Sequence, residues 1–132
     1  MNQIRLQHKR IYEPIDPSDG MRILVDRLWP RGVRKDAAKV DVWLKEIAPS
    51  PDLRSWFDHN ADRFPAFRTA YEMELSVNEE HRKAVAQVMD WLQDGSVTLL
   101  YAAKDPHYNH VVVLHDFLMQ QIEQQEVAQT EG

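Results

Sequence analysis

Two short stretches concentrate the residue types able to do chemistry. The first, "DRLWPRG", places Asp26, Arg27, Trp29 and Arg31 directly after the apolar run "RILV". The second, "YAAKDPHYNH", places Lys104, Asp105, His107, Asn109 and His110 after the apolar run "VTLL". Guanidinium forks and a lysine point charge hold phosphate or carboxylate groups. Asp26 or Asp105 could act as general acid or base, with His110 as a proton shuttle near neutral pH. Such equipment suits a hydrolytic or lyase step on a small anionic, nucleotide-like substrate. Electrostatic pre-organisation would then carry the catalysis, without metal or covalent nucleophile.

Each of these residues also has a plainer reading. Asp26 and Arg27 could be paired at a sheet edge, and Trp29 could be packing rather than a stacking platform. Lys104-Asp105-Pro106 is a common way to turn a chain, with Asp105 as an Asx-turn residue. Asn109 reads first as a helix cap, and His107 and His110 as loop surface. No histidine spacing matches a metal motif such as H-E-x-x-H, and no Walker, G-x-S-x-G or Rossmann glycine pattern is present. The expectation is therefore no metal and no cofactor.

The elements that must position these residues follow from patterning. "IRLQHKR", residues 4–10, alternates as a half-buried strand. "YEPIDPSDG" is a loop by composition, and "MRILVDRL" is a short buried strand that Pro30 and Gly32 cannot continue. Ser50 with Pro51 and Asp52 opens a helix. Asn60 opens a second with Phe64, Phe67, Tyr71 and Leu75 at helical spacing. Asn78 opens a third, burying Val85, Val88, Met89 and Leu92 before Gly95 stops it. "SVTLLYAA" is apolar on both faces and reads as an interior strand. For "NHVVVLHDFLMQQIEQ" the three valines favour a β-hairpin. Val111, Leu114, Leu118 and Ile122, with Asn109 as cap, favour a helix, and the helix is preferred. Residues 1–125 are expected to form one domain and 126–132 a frayed tail. A cross-over of helices between buried strands predicts a small α/β fold: a Rossmann-like open sheet, mostly parallel, with helices packed on it. In such sheets ligands sit beyond the carboxyl ends of the strands. If the two strands are neighbours, both stretches face one crevice, at the anion-attracting start of the last helix.

Bulk composition narrows the classes. The chain has 132 residues, 43% hydrophobic and 28% charged, as expected of one ordinary globular domain. With no cysteine, disulfides, zinc thiolates and thiol nucleophiles are excluded. No apolar run approaches the roughly 20 residues of a membrane helix, and the first residues lack a signal-peptide pattern. A cytoplasmic protein without membrane association is expected. The net charge of −5 disfavours general nucleic-acid binding. Locally, Arg22, Arg27, Arg31, Arg34, Lys35 and Lys39 outnumber Asp26 and Asp36.

"RILVDRLWPRG", "DVWLKEIAPSPDLRSWFDH" and "VTLLYAAKDPHYNHVVVL" together resemble the short, YeaO-like branch of an uncharacterised bacterial family, domain of unknown function 488. The resemblance runs from Ile4 to Leu118 and implies a small cytosolic α/β domain. It implies no reaction. Longer members of that family carry cysteine at the position of Tyr101 or Ala102, and Cys-His-Arg near Asn109 to Val111. This chain has neither cysteine nor arginine there, so no thiol-phosphatase mechanism carries over.

Two functional expectations stand. One is an enzyme using Asp26, Asp105 and His110 on a ligand held by Arg27, Trp29, Arg31, Lys104 and Asn109. The other is a non-catalytic module for a phosphorylated ligand or nucleic acid, with the basic segment on phosphates and Trp29 stacking. "WLKEIAPSPDLRSWF" adds Trp43, Trp56 and Phe57 as lid, wall or core.

Overall fold

The computed structural model describes residues 5–131. Four strands, β1 (Leu6–Arg10), β2 (Met21–Leu24), β3 (Val42–Trp43) and β4 (Val97–Tyr101), form one sheet in the order β1-β4-β2-β3. Every pairing is parallel. The expected α/β class with a parallel sheet is what the chain adopts. The strand expected from the sequence begins at Ile4, which lies outside the described residues. Two elements escaped the sequence: β3, only two residues long, and the short helix α1 (Lys35–Ala38). Neither is long enough to show a period.

β4 lies centrally because all five of its side chains are buried, which only an interior strand covered on both faces tolerates. It pairs with β2 from Met21↔Val97 to Leu24↔Leu100. The tails of these two strands therefore leave the sheet side by side.

The crossover contains α2 (Pro51–Phe57), α3 (Phe64–Val77) and α4 (Glu79–Asp94). Ser50 Oγ accepts from the Leu53 amide and caps α2, whereas Asn78 Oδ1 accepts from Glu80 and His81 and caps α4. The last helix, α5 (His110–Glu131), includes the three valines. Asn109 Oδ1 accepts the Val111 and Val112 amides, and this cap fixes the segment as helix rather than hairpin. The helix continues through the 126–131 stretch assigned to a frayed tail, and Gly132 lies outside the described residues.

The two faces of the sheet differ. Ile23, Val25, Val97, Leu99 and Tyr101 join Phe67, Tyr71, Leu75, Val88, Leu114 and Leu118 of the long helices in the main core. The other face carries a smaller cluster of Ile11, Leu24, Ala38 and Leu100 under Trp29, Val33, Val40 and Trp43. Beside that cluster lies a buried ionic network. Asp19, 2% exposed, accepts from Lys9 Nζ at 2.9 Å and from Arg22 Nη1. Arg22 donates its other nitrogens to the Ala38 and Lys39 carbonyls. Thr98 Oγ1 donates to the Asp19 carbonyl and accepts from Gln7. Among the described residues no helix is long and apolar enough to cross a membrane.

Candidate functional site

Beyond Leu24 the chain stays bound to β4 for one more residue, the Val25 amide donating to the Leu100 carbonyl at 3.0 Å. Asp26 then ties the two strand tails together: its Oδ2 accepts the Ala102 amide at 3.0 Å. Its carbonyl accepts from Trp43 Nε1 at 2.8 Å. The result is a cleft of about 560 Å³ at the carboxyl ends of β2 and β4. Asp26, Arg27, Trp29, Lys104, Asp105, Asn109 and His110 all line it, so seven of the eight expected residues are brought together. Arg31 is not: it is exposed outside the cleft, and its carbonyl accepts from Tyr12 Oη.

Several of these side chains are engaged in building the cleft. Arg27 donates Nε to the Pro49 carbonyl at 3.1 Å and Nη2 to the Ala48 carbonyl at 3.0 Å. It thereby pins one wall. The same wall is held by Tyr71 Oη on the Ile47 carbonyl (2.6 Å), His81 Nε2 on the Ala48 carbonyl (2.8 Å), and Glu74 Oε1 on the Ser50 amide (3.0 Å). Burial pushes the Tyr71 phenol well above its ordinary range, so it stays a neutral donor. Trp29 donates Nε1 to the Val33 carbonyl at 2.8 Å and meets Trp43 edge-on, with Lys35 Nζ over its ring. It braces the loop.

The opposite lip is a turn. Asp105 Oδ1 accepts the His107 and Tyr108 amides at 2.8 and 3.1 Å, and those two bonds hold its carboxyl below the usual carboxylate range. An acid held ionised by its own turn is a poor proton donor. Asn109 uses both ends of its amide, Oδ1 on the α5 cap and Nδ2 on the Asp105 carbonyl at 2.6 Å.

What stays available is a short set. Lys104 and Arg54 line the cleft, are exposed, and make no side-chain hydrogen bond or ion pair among the described residues. His59 joins them at the end of α2, where Asp58 and His59 both take left-handed backbone angles (φ 45° and 54°). Phe57 and Phe67, stacked at 4.3 Å between centroids and almost wholly buried, back an apolar wall that Ala102 and Ala103 complete. His110 Nε2 lies 3.0 Å from the Val25 carbonyl and 3.2 Å from Asp26 Oδ1. Only the contact with Val25 has hydrogen-bond geometry, so Asp26 Oδ1 is a buried carboxylate oxygen without a donor. The Asp26 contact is an ion pair only when the imidazole is protonated.

Arg54 and His59 were not singled out from the sequence, and Phe67 was expected only on the apolar stripe of its helix. Arg54 lies inside a capped helix and His59 follows a turn that contains no glycine, so neither carries a local signal. Trp56 is exposed and off the cleft, with the Arg63 guanidinium over its ring.

A parallel α/β domain with a cleft at two adjacent strand tails defines the structural class. The chain belongs to the DUF488 family: residues 5–132 match the family described as the inactive DUF488-N3 subclade. It is 44% identical to the uncharacterised protein YeaO of Escherichia coli over 115 residues, covering 87% of this chain and 97% of that one. It is 38% identical to an uncharacterised protein of Mycobacterium tuberculosis over 118 residues, covering 89% and 97%. No solved structure matches the chain significantly.

Proposed function

We propose that the cleft binds one small organic anion, its apolar body on Phe57 and Phe67 and its acid group reaching Arg54 and Lys104. The observation that carries this reading is the pair of cationic side chains, Arg54 and Lys104, that have no side-chain partner among the described residues and share the cleft with the apolar Phe57, Ala102 and Ala103. A cleft of this volume suits a single small molecule, and the net charge of −5 argues against a polyanion. The engagement of Arg27, Asp105 and Asn109 in the architecture, and a family described as inactive, both favour binding without turnover.

The test is a thermal-shift and calorimetry panel of aromatic carboxylates, sugar phosphates and nucleotides. A ligand at about 100 times its Kd adds about 2.7 kcal/mol to stability. Arg54→Ala and Lys104→Ala should each weaken the best binder about tenfold, the size of one charge-assisted hydrogen bond. Unchanged affinity in the double variant overturns the reading.

A metal-independent hydrolase or lyase is the second reading, favoured by the unpartnered Asp26 Oδ1 beside His110. In it the imidazole is the base and Asp26 its positioning residue. Recovery of the ligand chemically unchanged after prolonged incubation removes this reading and leaves the first.

A further inference from the structure

We infer that His110 Nδ1 is the acceptor that selects the ligand, so that the bound anion is a planar aromatic acid carrying an N–H or O–H donor of its own. This rests on the cleft reading and adds the ligand's second requirement. Nε2 of His110 faces only acceptors, the Val25 carbonyl at 3.0 Å and the Asp26 carboxylate at 3.2 Å. A carbonyl has no proton to give and a carboxylate has none while ionised, so Nε2 carries the hydrogen. In the neutral ring Nδ1 is then a bare lone pair. Turning the ring over would take Nε2 off the Val25 carbonyl, so the orientation is held.

Two further observations leave that lone pair open to a ligand. His110 lines the cleft, and its Nδ1 has no hydrogen-bond partner among the described residues and is not one of the buried unpaired atoms. His81 is the contrast. It too is anchored through Nε2 to a carbonyl, but its Nδ1 is closed in the core without a partner and out of reach of any ligand. At His110 the same local chemistry lies on a cleft backed by the stacked Phe57–Phe67 pair and carrying two cations, Arg54 and Lys104, without side-chain partners among the described residues. A flat ring along the wall, an acid group toward Arg54 and Lys104, and a donor toward Nδ1 satisfy all three features at once.

Two matched probe pairs test this: indole-3-carboxylate against its 1-methyl derivative, and 4-hydroxybenzoate against 4-methoxybenzoate. In each pair a methyl group replaces the donor hydrogen. At least one donor-bearing probe should bind the wild type about tenfold tighter than its methylated partner, as expected when an acceptor is left unpaired. In His110→Phe the gap should close. A second measurement needs no variant: the imidazole nitrogen shifts of the free protein at alkaline pH should show His110 with hydrogen on Nε2 and a lone pair on Nδ1. The inference is overturned by the opposite tautomer, by equal affinities within both pairs, by a gap that survives His110→Phe, or by binding of none of the four probes. The cleft reading fails separately, through indifference of panel binders to Arg54 and Lys104.

Discussion

Strand β2 has an aspartate–arginine pair at each end, and the two pairs have opposite fates. Asp19 and Arg22, at its start, form a closed network in which both carboxylate oxygens and the guanidinium are satisfied. Asp26 and Arg27, past its end, do not contact each other in this way. Arg27 is directed to the wall carbonyls, while Asp26 keeps one oxygen without a donor beside a histidine that opens on a cleft. Identical residue types thus serve architecture at one end and leave unused hydrogen-bonding capacity at the other. Satisfaction of the polar atoms, more than their charge, separates the structural pair from the candidate site.

The comparison breaks first at Asp19. Removing one partner of a buried ionic network leaves two cations uncompensated, so Asp19→Ala should cost about 3–5 kcal/mol in urea unfolding. A pH effect accompanies it. Burial works against the Asp19 carboxylate, but Lys9, the Asp16 amide and Arg22 outweigh it and hold its folded pKa below the usual range. Its contribution is therefore full above the unfolded value of about 4 and is lost as pH falls through the lower folded value. Asp19→Asn should flatten that acid limb; an unchanged limb would show that the network carries no linkage.

The next effect in size belongs to Arg27. Arg27→Met leaves the Pro49 carbonyl without its donor and the Ala48 carbonyl with His81 alone, and should cost about 2 kcal/mol, with loss of ligand binding as the wall loosens. Asp26→Asn should cost less than about 1 kcal/mol, because an amide can still accept from Ala102 and the unpaired charge is gone. Equal costs at Asp19 and Asp26 would erase the distinction between the two ends. Smallest of all, Lys104→Ala should shift stability by no more than about 0.5 kcal/mol while weakening the ligand.

The parallel sheet and the capped helices were legible in the sequence, from the order of elements and from local signals, whereas the meeting of the two strand tails entered only as a condition, which the β2–β4 pairing meets. The local signals include the Asn109 cap, the Ser50-Pro51 start and the unbroken apolar run of β4. What was illegible depends on distant partners. No spacing tells that Arg27 would reach across 22 residues to Pro49 rather than face a ligand. Nor does any local pattern show that Arg31 would leave the cleft while Arg54 and His59 entered it from the crossover. Asp105 carried its turn-forming alternative in plain view, and its two backbone bonds give it that role.

The most direct measurement is a backbone amide titration of the labelled protein with indole-3-carboxylate. Saturable shifts should gather at Leu28, Trp29, Phe57, Ala103, Lys104 and His110, around the cleft, and should be lost in the Arg54→Ala, Lys104→Ala double variant. Saturable shifts confined to the basic segment from Arg31 to Lys39, or the same cleft shifts in the double variant, would contradict the account.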